Sequence, residues 1–135
     1  MAKVRLHRAN ELDWNTVREL TRNDPIPGLA ETDLNARITY HEPGNDRTIQ
    51  LFEVCYEPGA LVAVHSHDED EIIYVVEGEM VLGAQTLQAG SSVFVAGGTY
   101  YGFTAGPSGL RFLNFRPRAD STYHPRQEPV RTSGT

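Results

Sequence analysis

The chain has 135 residues, with 18 acidic against 12 basic side chains and a formal net charge of −6. This charge balance argues against nucleic-acid binding, which requires a basic face, and it disfavours docking on an anionic membrane. No run of about 18 apolar residues is present to span a membrane, and the single cysteine, Cys55, cannot form an intrachain disulfide. We therefore expect one cytoplasmic domain over residues 1–135 that binds neither nucleic acid nor membrane. Because residues 1–8 lack an apolar core, we expect no secretory signal.

Residues 1–45 are predicted to form an arm that leads into the main domain. Asp13 is the predicted N-cap of a short helix that begins near Leu12. The helix is expected to end before Pro25, since the residue ahead of a proline disfavours the α region. Ala36–His41 is the predicted strand that follows.

Residues 46–118 are predicted to form a β-barrel. Short runs of β-branched and aromatic residues alternate with Gly, Pro and Asp turns, a spacing typical of an all-β sandwich or small barrel. The predicted strands are Thr48–Tyr56, Ala60–His67, Glu71–Val76, Met80–Gly83, Thr86–Gln88, Ser92–Ala96, Tyr100–Thr104 and Leu110–Phe115. Residues 77–79 and 106–109 are predicted turns, and residues 119–135 an extended or partly disordered tail.

One stretch carries a pattern of metal ligands. His65 and His67 lie two residues apart on a predicted strand, so their side chains share one face. An acidic connection lets the chain reverse, and Glu71 then opens the next strand beside them. Two imidazoles and one carboxylate make a facial triad, which leaves coordination positions open and suits Fe(II), Mn(II), Ni(II) or Zn(II). The alternative is an ordinary pair of surface or core histidines.

The wider spacing resembles a known family. Five residues separate Gly59 from His65, and six separate Glu71 from Gly78. With the histidines, this arrangement resembles the first motif of the cupin superfamily at every specified position. The resemblance covers about residues 48–116 and implies a double-stranded β-helix, a small jelly-roll barrel of two antiparallel sheets. It also implies a homodimer that pairs through an N-terminal strand or a sheet face.

The second motif of the family is matched in part. Gly90 and Gly98 stand at its glycine positions. Ala96 stands where proline is usual, Ala105 where asparagine is usual, and Tyr101 where the fourth ligand histidine is usual.

Carried over position by position, the resemblance makes His65, His67 and Glu71 metal ligands, with Tyr101 in the fourth slot. A tyrosine, with an ordinary pKa of about 10, is a poor ligand, so three interpretations stay open. Tyr101 binds as a phenolate, stands off the metal as a hydrogen-bond donor or proton shuttle, or marks an empty, degenerate site. Tyr101 and Glu71 are the candidate catalytic residues, and Tyr100 is expected to face the opposite way.

Three classes of function follow from the ligand pattern and the resemblance. The first is a metal-dependent enzyme acting on a small organic molecule, foremost a dioxygenase whose triad leaves room for oxygen and a bidentate substrate. The second is a redox-neutral isomerase, lyase or decarboxylase in which Glu71 or Tyr101 moves a proton. The third is a non-catalytic module that binds a small molecule. The expected cofactor is one divalent transition metal, foremost iron, with Mn, Ni, Zn or Cu as alternatives.

Other residues with expected roles lie outside the motif. Glu53 and Cys55 share a strand face, and Glu53 is a conceivable partner for Arg111 if that face lines a pocket. The acidic run at residues 68–70 is expected to be a solvated turn. Five aromatic residues are expected to be packing residues: Phe52, Tyr74, Phe94, Phe103 and Phe112.

Overall fold

The chain folds as an all-β structure, as the sequence predicts, and its strands form one antiparallel sheet that curls into a half-barrel. The computed structural model describes residues 3–126. Its strands are β1 Asn15–Thr16, β2 Arg37–Glu42, β3 Gln50–Tyr56, β4 Leu61–Ser66, β5 Glu71–Leu82, β6 Gln85–Gln88, β7 Ser92–Val95, β8 Tyr101–Arg116 and β9 His124–Pro125. A turn of 3-10 helix spans Ala9–Glu11, and two short helices are α1 Val17–Leu20 and α2 Glu31–Leu34. No helix within residues 3–126 is long and apolar enough to cross a membrane.

Strand β8 holds the sheet together. It pairs antiparallel with β3, β4 and β5, while β5 in turn carries β6 and β7. The register sets Val54 beside Phe112 and Ile73 beside Asn114. Because β8 spans 16 residues, its first half closes against β4 and its second half against β3. The sheet therefore folds over on itself and encloses one core.

The alternation of apolar residues along β3 builds that core. Phe52, Val54 and Tyr56 point inward and are buried, as strand geometry requires for residues two apart. The Tyr56 ring lies 5.8 Å from Phe103 and 6.0 Å from Phe112, measured between ring centroids. These aromatic residues form one wall of the space in which the candidate site lies.

Two of the predicted turns are wrong, because both lie inside long strands. Residues 77–79 continue β5 and residues 106–109 continue β8. Gly78 has φ +76°, and a Cβ there would lie 2.0 Å from the Gly109 carbonyl oxygen. The ladder between β5 and β8 shifts register beside it. Glycine therefore permits a bulge and a close approach of two backbones here, rather than a chain reversal.

The N-terminal helix begins later than predicted. Thr16, not Asp13, is the N-cap, because its hydroxyl accepts from the Glu19 amide at 3.1 Å. The Glu19 carboxylate accepts in return from the Thr16 amide, which completes a capping box. The Asp13 carbonyl instead accepts from the Thr39 hydroxyl at 2.9 Å. That contact holds the arm against β2.

Both ends of the described chain pack against the barrel. Strand β2, which lies in the predicted arm, pairs with β3 from Arg37 and Cys55 onward. Strand β9 pairs with β4, so the first part of the predicted tail returns to the sheet. The prediction of disorder for residues 127–135 lies outside the described residues.

The outward face of the sheet carries an apolar row across four strands. The register aligns Leu51, Phe115, Ile72 and Phe94 on β3, β8, β5 and β7. Phe94 is 62% exposed, and Tyr74 on the same face is 42% exposed. The prediction that Phe94 and Tyr74 are packing residues is therefore wrong, because alternation alone does not tell which sheet face is covered.

Candidate active site

A cavity of about 390 Å³ lies inside the half-barrel, a size typical of a small-molecule site. Most of its wall is apolar or aromatic, from Val17, Leu20, Ile26, Leu29, Ile38, Tyr40, Phe52, Val54, Tyr56, Val62, Phe103 and Phe112. Its polar wall includes Asp33, His65, His67, Tyr101, Asn114, Arg116 and Tyr123. The polar groups come from separate parts of the chain and converge on one space.

The two predicted histidines meet at this wall. Strand β4 ends at Ser66, and the rings of His65 and His67 lie 4.7 Å apart between centroids. Their Nε2 atoms are 3.0 Å apart. Each Nδ1 faces a backbone carbonyl, that of Ala63 at 2.7 Å for His65 and that of Thr122 for His67.

Those carbonyl contacts decide where the ring hydrogens lie. A carbonyl oxygen only accepts, so each Nδ1 carries the hydrogen and each Nε2 presents a lone pair when the ring is neutral. Burial lowers the pKa of His65 to about 4 and also lowers the pKa of His67. Both rings are therefore neutral at physiological pH, and two acceptors face each other at 3.0 Å. A shared proton or a cation relieves that repulsion.

Glu71 is buried and is held by three neighbours. Its carboxylate accepts from the Tyr101 hydroxyl, from Asn114 Nδ2 at 3.0 Å and from Arg116 Nη2 at 3.0 Å. Burial by itself would raise the pKa of Glu71, but Arg116, Tyr101 and Asn114 together hold it below its usual value. Glu71 is thus an ionised carboxylate whose oxygens are occupied by partners from β8.

Tyr101 lies at the cavity wall with its hydroxyl hydrogen directed to Glu71. Burial, reinforced by the charge of Glu71, raises its pKa well above the ordinary value. Its ring lies 4.8 Å from that of His65 between centroids. Tyr101 is therefore a protonated phenol beside the histidines. Tyr100 is 51% exposed, as predicted from alternation.

The two imidazoles fit a metal ion better than the carboxylate does. Ligands bonded at about 2.1 Å lie about 3 Å apart when they meet at a right angle, which matches the two Nε2 atoms. The Glu71 carboxylate instead forms an ion pair with Arg116. Within residues 3–126, no three His, Cys, Asp or Glu side chains are grouped as ligands of one ion. The ligand set His65, His67, Glu71 and Tyr101 stays a prediction: the two histidines meet, and Tyr101 lies beside His65 and donates to Glu71.

Sequence reasoning missed Asp33. It lies on α2 within the predicted arm, is 6% exposed and lines the cavity. The Tyr56 hydroxyl donates to its carboxylate at 3.1 Å. Burial raises the pKa of Asp33 to about 6, although the hydrogen bond from Tyr56 opposes the shift. Nothing in the local sequence marks this aspartate, because only the folding of the arm over the barrel buries it.

Sequence reasoning also missed Tyr123, which lies in the C-terminal segment. The Tyr123 ring stacks on His65 at 4.4 Å with an interplanar angle of 13°. The preceding residue, Thr122, supplies the carbonyl that accepts from His67. The segment is held by Arg116 Nη1, which donates to the Asp120 carbonyl at 2.7 Å. The predicted tail therefore forms part of the site.

The predicted partnership of Glu53 and Arg111 is confirmed, but it lies away from the cavity. Arg111 Nη1 is 2.6 Å from Glu53 Oε2, and His41 Nε2 is 3.0 Å from Glu53 Oε1. Phe52 and Val54, on the opposite face of the same strand, line the cavity instead. This cluster therefore contributes to the outer face of the sheet rather than to a binding pocket.

The acidic turn beside the histidines is held in place. Asp70 Oδ1 accepts from the Gly97 amide at 2.8 Å, and Asp68 Oδ1 lies 2.8 Å from His124 Nε2. The Asp68 side chain is 64% exposed, in keeping with the predicted solvated turn.

The central part of the chain matches a known protein family. A family model described as the cupin domain matches residues 52–116, which include both histidines and Glu71. Residues 52–116 of this chain form a cupin domain. The resemblance of the first motif is thereby confirmed, and the half-barrel agrees with it.

Solved cupin structures share the fold of this cupin at low sequence identity. The polyketide cyclase RemF from Streptomyces resistomycificus has a TM-score of 0.68 and 23% identity, with 96% of this chain and 89% of that chain covered. KdgF from Halomonas sp. has a TM-score of 0.62 and 23% identity, with 86% and 96% covered. An RmlC-like cupin from Shewanella frigidimarina NCIMB 400 has a TM-score of 0.52 and 24% identity, with 69% and 78% covered. No curated protein matches the sequence. The neighbours thus include an enzyme, and the likeness itself concerns the fold.

Proposed function

We propose that this cupin is a metal-dependent enzyme that moves a proton on a small, largely apolar carbonyl compound without net oxidation. The observation that carries the proposal is the pair of titratable groups on one apolar cavity, Asp33 and Tyr101. Their surroundings raise the pKa of Asp33 to about 6 and keep Tyr101 protonated. Such a pair, one a base near neutral pH and the other an acid, is the pattern of acid–base catalysis.

His65 and His67 are the residues that would hold the metal, through their facing Nε2 atoms. When bound, a divalent ion there supplies a Lewis acid that polarises an oxygen of the substrate. The carbonyls of Ala63 and Thr122 fix both rings in the tautomer that a ligand needs.

The protein's own groups account for the proton movement. Asp33, ionised at neutral pH, accepts a proton from the carbon next to the substrate carbonyl and becomes a neutral acid. The electron pair of the broken C–H bond forms a carbon–carbon double bond, the π pair of the carbonyl moves onto its oxygen, and the Tyr101 hydroxyl turns from Glu71 to donate to that oxygen. In a substrate with a carbon–carbon double bond beside the deprotonated carbon, return of the proton from Asp33 to the far end of that double bond completes an isomerisation. Arg116 keeps Glu71 charged, so Tyr101 has an acceptor to return to.

The test is deuterium exchange on α-tetralone, a small aromatic ketone, in heavy water under argon with Zn(II). We expect exchange at the carbon next to the carbonyl, slowed about a hundredfold in Asp33→Asn, as loss of a general base implies. Glu31→Gln is the matched control, because Glu31 lies on the same helix with its side chain 73% exposed. No exchange by the unaltered protein, or equal exchange by Asp33→Asn, would contradict the proposal.

A dioxygenase is the second candidate, and the two adjacent imidazoles favour it because they leave several coordination positions open. The ion pair between Glu71 and Arg116 places it second, because an iron oxygenase of this type uses a free carboxylate as its third ligand. Oxygen uptake that depends on added Fe(II), together with no deuterium exchange, would favour the dioxygenase. Binding of the ketone without either reaction would favour a non-catalytic binding module.

A further inference from the structure

The C-terminal segment places Tyr123 at the cavity wall, and its hydroxyl has no partner among the described residues. Tyr123 lines the cavity and its hydroxyl oxygen is buried. Within residues 3–126, that hydroxyl has no hydrogen-bond partner. A buried hydroxyl without a partner costs free energy, so an acceptor that enters the cavity gains a hydrogen bond there.

Tyr123 and the candidate base, Asp33, line the same cavity. Tyr123 lies within electrostatic reach of Asp33, and Tyr56 lies within reach of Tyr123, although neither is hydrogen-bonded to it. A phenol hydroxyl carries its hydrogen at neutral pH, since its ordinary pKa is about 10, so the Tyr123 hydroxyl can donate. The cation on this wall, Arg116, is already paired with Glu71, and Asp33 adds an anion, which disfavours an anionic ligand and favours a neutral acceptor.

The backbone of the segment fixes the tyrosine in this position. Strand β9 pairs with β4 immediately after Tyr123, and the Arg126 amide donates to the Val64 carbonyl at 3.1 Å. On the other side, Asp120 Oδ1 accepts from the Thr122 amide at 2.9 Å. The Tyr123 ring is thus clamped on both sides and by its stack on His65, so its hydroxyl is preorganised for a ligand.

We propose that Tyr123 is a substrate-positioning residue whose hydroxyl donates a hydrogen bond to a neutral carbonyl oxygen of a small, planar, apolar molecule. The proposal deepens the proposed function, because the same carbonyl compound would occupy the same cavity. It makes the C-terminal segment, which lies beyond the matched cupin domain, the part of this chain that selects the ligand.

The test compares α-tetralone with tetralin, the hydrocarbon of the same shape without the oxygen. Calorimetric titration is expected to show tighter binding of the ketone by the unaltered protein. In Tyr123→Phe the ketone should bind about fivefold more weakly, as loss of one neutral hydrogen bond implies, while tetralin binding is unchanged. Tyr74→Phe is the matched control, because its hydroxyl lies on the outer face.

A spectroscopic readout separates positioning from a general loss of structure. The carbonyl stretch of bound α-tetralone should move to higher frequency in Tyr123→Phe, because the hydrogen bond that weakens the carbonyl bond is removed. Tyr123→Ala removes the ring as well and should weaken both ligands. Equal affinity for the two ligands in the unaltered protein, no binding of either, or an unchanged stretch in Tyr123→Phe would each overturn the proposal.

The two proposals fail in different experiments. A Tyr123-dependent preference for the ketone without deuterium exchange would leave the positioning role standing and remove the enzymatic one. Exchange that survives Tyr123→Phe with unaltered affinity would remove the positioning role and leave the enzymatic one standing.

Discussion

Asp33→Asn should make this protein more stable at alkaline pH. Burial raises the pKa of Asp33 from 3.8 to about 6 in the folded chain. A difference of about two pKa units corresponds to about 3 kcal/mol of stability. Because the folded state holds the proton more tightly, this stability is fully present below about pH 4 and is lost as the pH rises through about 6. Asparagine does not ionise, and its side-chain oxygen can still accept from the Tyr56 hydroxyl.

Urea unfolding of both proteins at a series of pH values measures this effect. At about pH 8 the free energy of unfolding of Asp33→Asn should exceed that of the unaltered protein by up to about 3 kcal/mol, and at about pH 4 the two should be nearly equal. The difference between the proteins isolates Asp33 from other titrating groups. A difference that does not change with pH would refute the buried, pKa-shifted carboxyl. The same substitution should slow deuterium exchange about a hundredfold, so the base would be retained at a cost in stability.

Three further predictions concern a buried ion pair, a close approach of two strands and the homodimer. Arg116→Met should lower the free energy of unfolding by about 3 to 5 kcal/mol, since it leaves the Glu71 charge buried and unpaired; adding Glu71→Gln should restore part of that loss in urea titrations. Gly78→Ala should cost about 3 kcal/mol because the new Cβ meets a carbonyl, whereas Gly83→Ala, with φ +59° and open space, should cost about 1 kcal/mol; equal losses would contradict the close approach of the strands. The homodimer stays a prediction, and the exposed apolar row is where we expect it to form. Phe94→Glu should then give a monomer by light scattering, and an unchanged mass would reject that surface.

Spacing along the chain was sufficient to predict that the two histidines share one strand face and that the fold is an all-β barrel. A strand period of two places His65 and His67 on one face, and the glycines around them complete a motif that the matched domain contains. The turn predictions at Gly78 and at residues 106–109 were wrong for a physical reason. Glycine signals a special backbone conformation, and a sequence does not tell whether a reversal or a bulge uses it.

The groups that complete the site come from segments without a pattern. Asp33 lies in an arm that is buried only when it closes over the barrel, and Tyr123 lies in a segment that composition predicts to be an extended tail. Glu71 was predicted as a ligand, but its partner Arg116 stands 45 residues away in sequence. Contacts at such separations depend on the strand pairing of the folded chain, so local propensity does not reveal them.

Metal analysis of the purified protein, of His67→Ala and of Glu71→Gln tests the proposed site most directly. Mass spectrometry should find close to one equivalent of a divalent transition metal in the unaltered protein and in Glu71→Gln, and none in His67→Ala. No metal in the unaltered protein after reconstitution, or full retention by His67→Ala, would contradict a metal held by the facing imidazoles.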